Sequence, residues 1–98
     1  MGDTNLAFLG QLETIIQQRL RDGDESSYTA RLAAAGDKRM AQKVGEEAVE
    51  LALAAVSGDR KEQLDEAADL VYHLLVLLNT RALSLADVSA VLERRHAP

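Results

Sequence analysis

The sequence predicts an all-α protein, a multi-helix bundle of about five helices per chain completed by homodimerisation. Apolar residues recur at spacings of three and four from one end to the other. Clusters of Gly, Ser and Asp interrupt that rhythm, and no stretch alternates with the period of two that a half-buried strand requires. With 98 residues the chain is expected to form one domain, residues 1–98, with a modest core that a second copy would enlarge.

The first helix is predicted over about residues 4–21, where Leu6, Leu9, Leu12, Ile16 and Leu20 share a face and Asp22-Gly23 stops it. Residues 24–27 form a polar loop. A short helix over about residues 28–35 ends at Gly36, after which Asp37 is a candidate N-cap for a longer helix reaching Val56. Its core stripe is read as Met40, Val44, Ala48, Leu51 and Ala55, with Lys43, Glu47, Glu50 and Ala54 as a second stripe beside it. Ser57-Gly58 closes that helix. Asp59 is expected to cap the next one, with Glu62 completing a capping box, and the helix continues to Arg81 or Ala82. Ser84 with Asp87 repeats the start signal for a last helix ending near Arg95.

The fourth helix is apolar on every side from Leu70 to Leu78, interrupted by Tyr72 and His73. A helix of that kind must be surrounded, and the few short helices of one chain cover about two of its sides. The expected solution is a homodimer centred on the third and fourth helices; the alternative is a monomeric bundle with a greasy central helix.

Hydrophobic residues make up 47% of the chain, which excludes wholesale disorder. The absence of cysteine excludes a disulfide framework and a thiolate zinc site. No basic leader with an apolar run, and no apolar stretch of bilayer length, is present, so a soluble cytoplasmic protein is expected, with no membrane partner. A net charge of −5 argues against nucleic acid as a partner. Locally the balance reverses: Arg31, Lys38, Arg39 and Lys43 have only Asp37 among them as counter-charge. Such a patch suits a polyphosphate, although a solvated helix flank would look the same.

The chemistry is concentrated in two acidic motifs, Glu47-x-x-Glu50 and Glu66-x-x-Asp69, each of which stacks two carboxylates one helical turn apart. If the two helices face each other, four carboxylates close a cage for a hard divalent cation, Mg²⁺ or alternatively Mn²⁺. Without a cation they would repel and raise one another's pKa. Cleavage of a phosphoanhydride needs neutralised oxygens and a water held in line, both within reach of such a cage. Glu46 lies beside it as a candidate to orient or deprotonate the water, and Lys43, one turn before Glu47, as a phosphate ligand. Each residue also has a plainer reading. Spaced glutamates are common on helix surfaces, His73 reads first as a buried, hydrogen-bonded histidine outside the metal shell, Tyr72 as core or groove wall, and His96 as part of a frayed tail.

These motifs, in the order Glu46-Glu47-x-x-Glu50 then Glu66-x-x-Asp69, resemble the signature of the all-α nucleoside triphosphate pyrophosphatase (MazG-like) superfamily. The flanking segments Ser27-Tyr28-Thr29-x-x-Leu32, Gln42-Lys43-Val44-Gly45-Glu46-Glu47-Ala48-x-Glu50 and Asp65-Glu66-Ala67-Ala68-Asp69-Leu70-x-Tyr72-His73-Leu74 resemble the phosphoribosyl-ATP pyrophosphohydrolase family of histidine biosynthesis. The resemblance covers nearly the whole chain. It implies Mg²⁺-dependent hydrolysis of phosphoribosyl-ATP to phosphoribosyl-AMP and pyrophosphate by a homodimeric helical bundle. Glu47, Glu50, Glu66 and Asp69 would be the metal ligands. It also implies that Ser27, Tyr28, Thr29, Lys38, Lys43, Tyr72 and His73 lie around the substrate. With no cysteine and no length for a fused zinc cyclohydrolase, a separate cyclohydrolase partner is expected for the next step. Two rivals stay open: a housecleaning hydrolase of non-standard nucleotides, and a non-catalytic helical module whose acids solvate a groove or bind calcium.

Overall fold

A computed structural model describes the backbone of residues 2–98 and the side chains from residue 5 onward. Five helices follow one another: α1 (Gly2–Asp22), α2 (Tyr28–Ala34), α3 (Asp37–Ser57), α4 (Arg60–Thr80) and α5 (Leu85–His96). No strand occurs among the described residues, so the all-α expectation holds. Helices α3 and α4, each of 21 residues, form an antiparallel hairpin that is the most extensive packing in the molecule, and α1 and α2 lie across it. No single helix is long and apolar enough to cross a membrane.

The boundaries follow from local chemistry. Ser27 caps α2 by accepting from the Ala30 N–H, and Ser84 and Asp87 close a reciprocal capping box on α5. At the tip of the hairpin Gly58 ends α3 with φ +83°, a left-handed conformation that costs glycine nothing, and its N–H donates to the Ala54 carbonyl.

Two expected caps differ. Asp37 is the first helical residue, not the cap of α3; Gly36 takes that place at φ +99°, a conformation that any Cβ would resist. Asp59 does cap α4, but through the Lys61 N–H, and the reciprocal bond expected from Glu62 is not formed.

The core is small: Ile16, Leu32, Met40, Leu75 and Val76 are buried together, with Leu12, Leu20, Val71 and Leu77 packed around them. The register of α3 departs from expectation. Met40, Glu47 and Ala54, spaced by seven, are its buried residues, whereas Ala48 and Ala55 of the expected stripe are exposed. The helix is thus turned so that one carboxylate enters the hairpin interface in place of a methyl group. Beyond Leu85, α5 leaves the bundle: α4 and α5 meet at a bend of 102°, and α5 buries none of its residues fully. The α4–α5 corner is tied to α1 by a polar network that the sequence reading missed. Glu13 accepts hydrogen bonds from the Asn79 side chain and the Leu85 N–H, each at 2.9 Å, and Gln17 donates to Asn79 at 2.9 Å. Its sequence signal is weak: two polar residues four apart on α1, and one amide in an apolar run.

Candidate metal and phosphate site

Turning α3 this way brings the two acidic motifs face to face. One carboxylate oxygen from each of Glu47, Glu66 and Asp69 lies within 4.8 Å of the others. Glu50 adjoins the same group through a hydrogen bond with Glu66. All four acids of the two motifs therefore meet between α3 and α4. Carboxylate oxygens this close can be drawn onto one hard cation by side-chain rotation alone, with no movement of the helices.

Burial grades the acids. Glu47 is only 5% exposed, Glu66 is partly buried, and Glu50 and Asp69 are exposed. The second oxygens of Glu47 and Glu66 are buried with no hydrogen-bond partner. Burying an unpartnered carboxylate oxygen costs about 1–3 kcal/mol, a cost that a bound cation would reverse. The residues present thus fit a divalent metal. The crowding also sets protonation: a hydrogen bond to Glu50, desolvation and the charges of Glu50, Asp69 and Glu47 push the Glu66 carboxyl up to about 7.

The positive charge at the site comes from Lys43. Its Nζ lies 3.2 Å from Glu47 and 3.7 Å from Glu46, and the hydrogen bond to Glu47 holds its pKa above the ordinary lysine value although partial burial opposes it. Glu46 is exposed beside Lys43, outside the three clustered acids, and accepts from Gln42 at 3.0 Å. Lys38 is exposed at the start of α3, outside this cluster.

Behind the acids lies an aromatic group. Both tyrosines of the chain, Tyr28 from α2 and Tyr72 from α4, stack with ring centroids 6.2 Å apart, and His73 stands edge-on to each. The Tyr28 hydroxyl is 2.8 Å from His73 Nε2, and His73 Nδ1 is 2.7 Å from the backbone carbonyl of Asp69. Thr29, fully buried, is hydrogen-bonded through its hydroxyl to that of Tyr72. Ser27 spends its hydroxyl on the cap of α2. Of the seven residues that the resemblance places around the substrate, Lys43, Tyr28, Tyr72 and His73 stand together beside the acids; Thr29 backs them, Ser27 is at the rim of α2, and Lys38 is apart.

Comparison with known proteins agrees with this geometry. Residues 9–96 match the profile of the family described as phosphoribosyl-ATP pyrophosphohydrolase. The chain is 54% identical over 87 residues to a phosphoribosyl-ATP pyrophosphatase of Pyrobaculum arsenaticum, covering 89% of this chain and 93% of that protein. It is 53% identical over 87 residues to the enzyme of the same name from Sinorhizobium medicae, covering 89% of this chain and 81% of the relative. It is also 57% identical over 91 residues to the histidine biosynthesis bifunctional protein HisIE of Photobacterium profundum; the match takes in 93% of this chain but 44% of that protein, so the chain spans about half the length of such bifunctional relatives. With nearly every residue matched and the acids of the profile's region gathered at one site, the chain belongs to the phosphoribosyl-ATP pyrophosphohydrolase family.

Proposed function

We propose that this chain hydrolyses phosphoribosyl-ATP to phosphoribosyl-AMP and pyrophosphate, the second step of histidine biosynthesis, with Mg²⁺ held by Glu47, Glu50, Glu66 and Asp69. The observation that carries the reading is the pair of buried, unpartnered oxygens on Glu47 and Glu66, two of the acids clustered between α3 and α4 in a chain of this family. Bound there, Mg²⁺ or Mn²⁺ would neutralise the oxygens of the triphosphate. The protein's own residues do the rest. Lys43, already charged and beside Glu47, takes a phosphate oxygen. Glu46, exposed beside Lys43, is assigned the orientation of the attacking water. Water adds across the α–β anhydride: its oxygen joins one phosphorus, and the bridging oxygen departs with the other. Tyr28 and Tyr72 flank the nucleoside, with His73 and Thr29 behind them, Ser27 at the rim and Lys38 farther out on α3. The phosphoribosyl-AMP formed passes to a cyclohydrolase, on the same polypeptide or another, and a cytoplasmic setting belongs to the same reading.

The working form in this proposal is a homodimer. A compact protein of this mass exposes about 5,500 Å², whereas this chain exposes 6948 Å². The excess, on the order of 1,500 Å², exceeds the roughly 800 Å² that each partner gives up in a standard interface. Val49, Leu53 and Val56 form an exposed apolar stripe on α3, with Leu64 on α4 and Phe8 on α1. Their burial against a second copy would complete the bundle.

The test is pyrophosphate release from phosphoribosyl-ATP with and without Mg²⁺, beside dUTP and other nucleoside triphosphates. Mg²⁺-dependent turnover confined to phosphoribosyl-ATP is expected. Equal turnover of dUTP would transfer the chain to a housecleaning role, and none of any substrate would end the catalytic reading.

A further inference from the structure

With a neutral ring, the hydrogen bonds around His73 have only one self-consistent direction. The Asp69 carbonyl can only accept, so Nδ1, 2.7 Å away, carries the proton. In the neutral ring Nε2 is then an acceptor, and the Tyr28 hydroxyl, 2.8 Å away, must donate to it. His73 is 6% exposed, so both ring nitrogens are used inside the protein and none faces a ligand. Tyr28 is 42% exposed beside Lys43, and its proton is already committed. What it presents outward is a lone pair.

We infer that His73 is a positioning residue that fixes Tyr28 as a hydrogen-bond acceptor, so that Tyr28 recognises a donor on the substrate, a ribose hydroxyl, and not a phosphate. The inference rests on the functional reading above for its substrate and on the hydrogen-bond geometry for its direction. A phosphate oxygen offers no proton, and a phenol oxygen whose proton points elsewhere repels it. A ribose hydroxyl has a proton to give. The anionic end of the substrate therefore belongs on the Lys43 side and the sugar on the Tyr28 side, an order along α2 and α3 that aligns the nucleotide in the groove. The same bond ties His73 to the turn of α4 that carries Asp69, so sugar recognition and the acid site share one rigid element.

The experiment measures kcat and KM for phosphoribosyl-ATP at saturating Mg²⁺ for Tyr28→Phe, His73→Phe, His73→Gln and the double variant Tyr28→Phe/His73→Phe. Loss of one neutral hydrogen bond predicts about a tenfold rise in KM for each Phe variant, with kcat within twofold. The double variant is no worse than Tyr28→Phe, because His73 acts through that hydroxyl. His73→Gln, whose amide oxygen reaches toward the Nε2 position, recovers most of the loss. An unchanged KM in Tyr28→Phe, multiplicative losses in the double variant, or a defect confined to kcat overturns the inference. Nitrogen NMR of the His73 ring at neutral pH reads the tautomer without turnover. A protonated Nδ1 and bare Nε2, the latter shifting in Tyr28→Phe, are expected; a protonated Nε2 overturns the assignment even if the substrate proves to be another nucleotide. Wild-type protein inert toward phosphoribosyl-ATP would instead count against the functional reading alone.

Discussion

Glu47→Gln should abolish most of the thermal stabilisation that Mg²⁺ confers, and its size can be worked out. Glu47 is the most buried of the four acids, one of its oxygens has no partner, and its carboxylate clusters with those of Glu66 and Asp69. A cation at one hundred times its Kd adds about 2.7 kcal/mol to folding stability. For 98 residues the unfolding entropy is about 0.2 kcal/mol/K, so the wild-type Tm should rise by about 13 °C at a fixed protein concentration. Losing one carboxylate ligand weakens the site by about a hundredfold or more. At the same Mg²⁺ concentration the increment then falls to about 0.4 kcal/mol, or about 2 °C. In EDTA the variant should stay within about 1 kcal/mol of wild type. It loses the 3.2 Å contact with Lys43 but also sheds repulsion from Glu66 and Asp69, and Lys43 keeps Glu46 at 3.7 Å. Circular-dichroism melts with EDTA or Mg²⁺ provide the four values. Equal Mg²⁺ shifts in the two proteins, or none in wild type, would refute the cage.

Two further outcomes follow from the same cluster and from the apolar face of α3. The Glu66 carboxyl is raised to about 7, so the folded state holds a proton there more tightly than the unfolded chain. Its contribution to metal-free stability is therefore greatest below about pH 4.5 and declines as pH rises to about 7, while Mg²⁺ affinity climbs through the same window as the proton is displaced. Melts in EDTA at pH 5 and pH 8 should show this decline in wild type but not in Glu66→Gln; parallel slopes would dismiss the shift. Leu53 is 65% exposed on α3, and Leu53→Asp should convert a dimer to monomer in sedimentation at micromolar concentration, whereas an unchanged mass would place the interface elsewhere.

Helix number and boundaries were readable because each end carries its own chemistry: Gly23 and Gly58 in left-handed backbone, Ser84 with Asp87 in a capping box. The two motifs were readable because a spacing of three is a statement about one helix face. What spacing cannot convey is how far a helix is rotated against its neighbour. The apolar stripe of α3 suggested Ala48 and Ala55 as core, yet the hairpin buries Glu47 and Ala54 instead. Nor can a one-dimensional pattern reveal pairs such as Tyr28 with His73, or Glu13 with Asn79, separated by 45 and 66 positions. Asp37 misled because a favourable capping residue sat next to Gly36, whose backbone freedom made a side-chain cap unnecessary.

The rotation of α3 links stability to function. Below the site the hairpin is sealed by Leu75 and Val76, each with no exposure, within about one turn beyond the Tyr72-His73 step of α4. Above it the same interface admits carboxylates, two of whose oxygens lack any partner. A helix pair evolved for stability alone would place a methyl-bearing side chain where Glu47 lies and avoid that desolvation cost. The apolar end thus compensates for the acidic end. Because the compensation runs through two helices only, a change at either end should be felt at the other: loosening Leu75 would let the Glu47 and Glu66 oxygens drift toward water, and a cation joining them would tighten the hairpin down to its core.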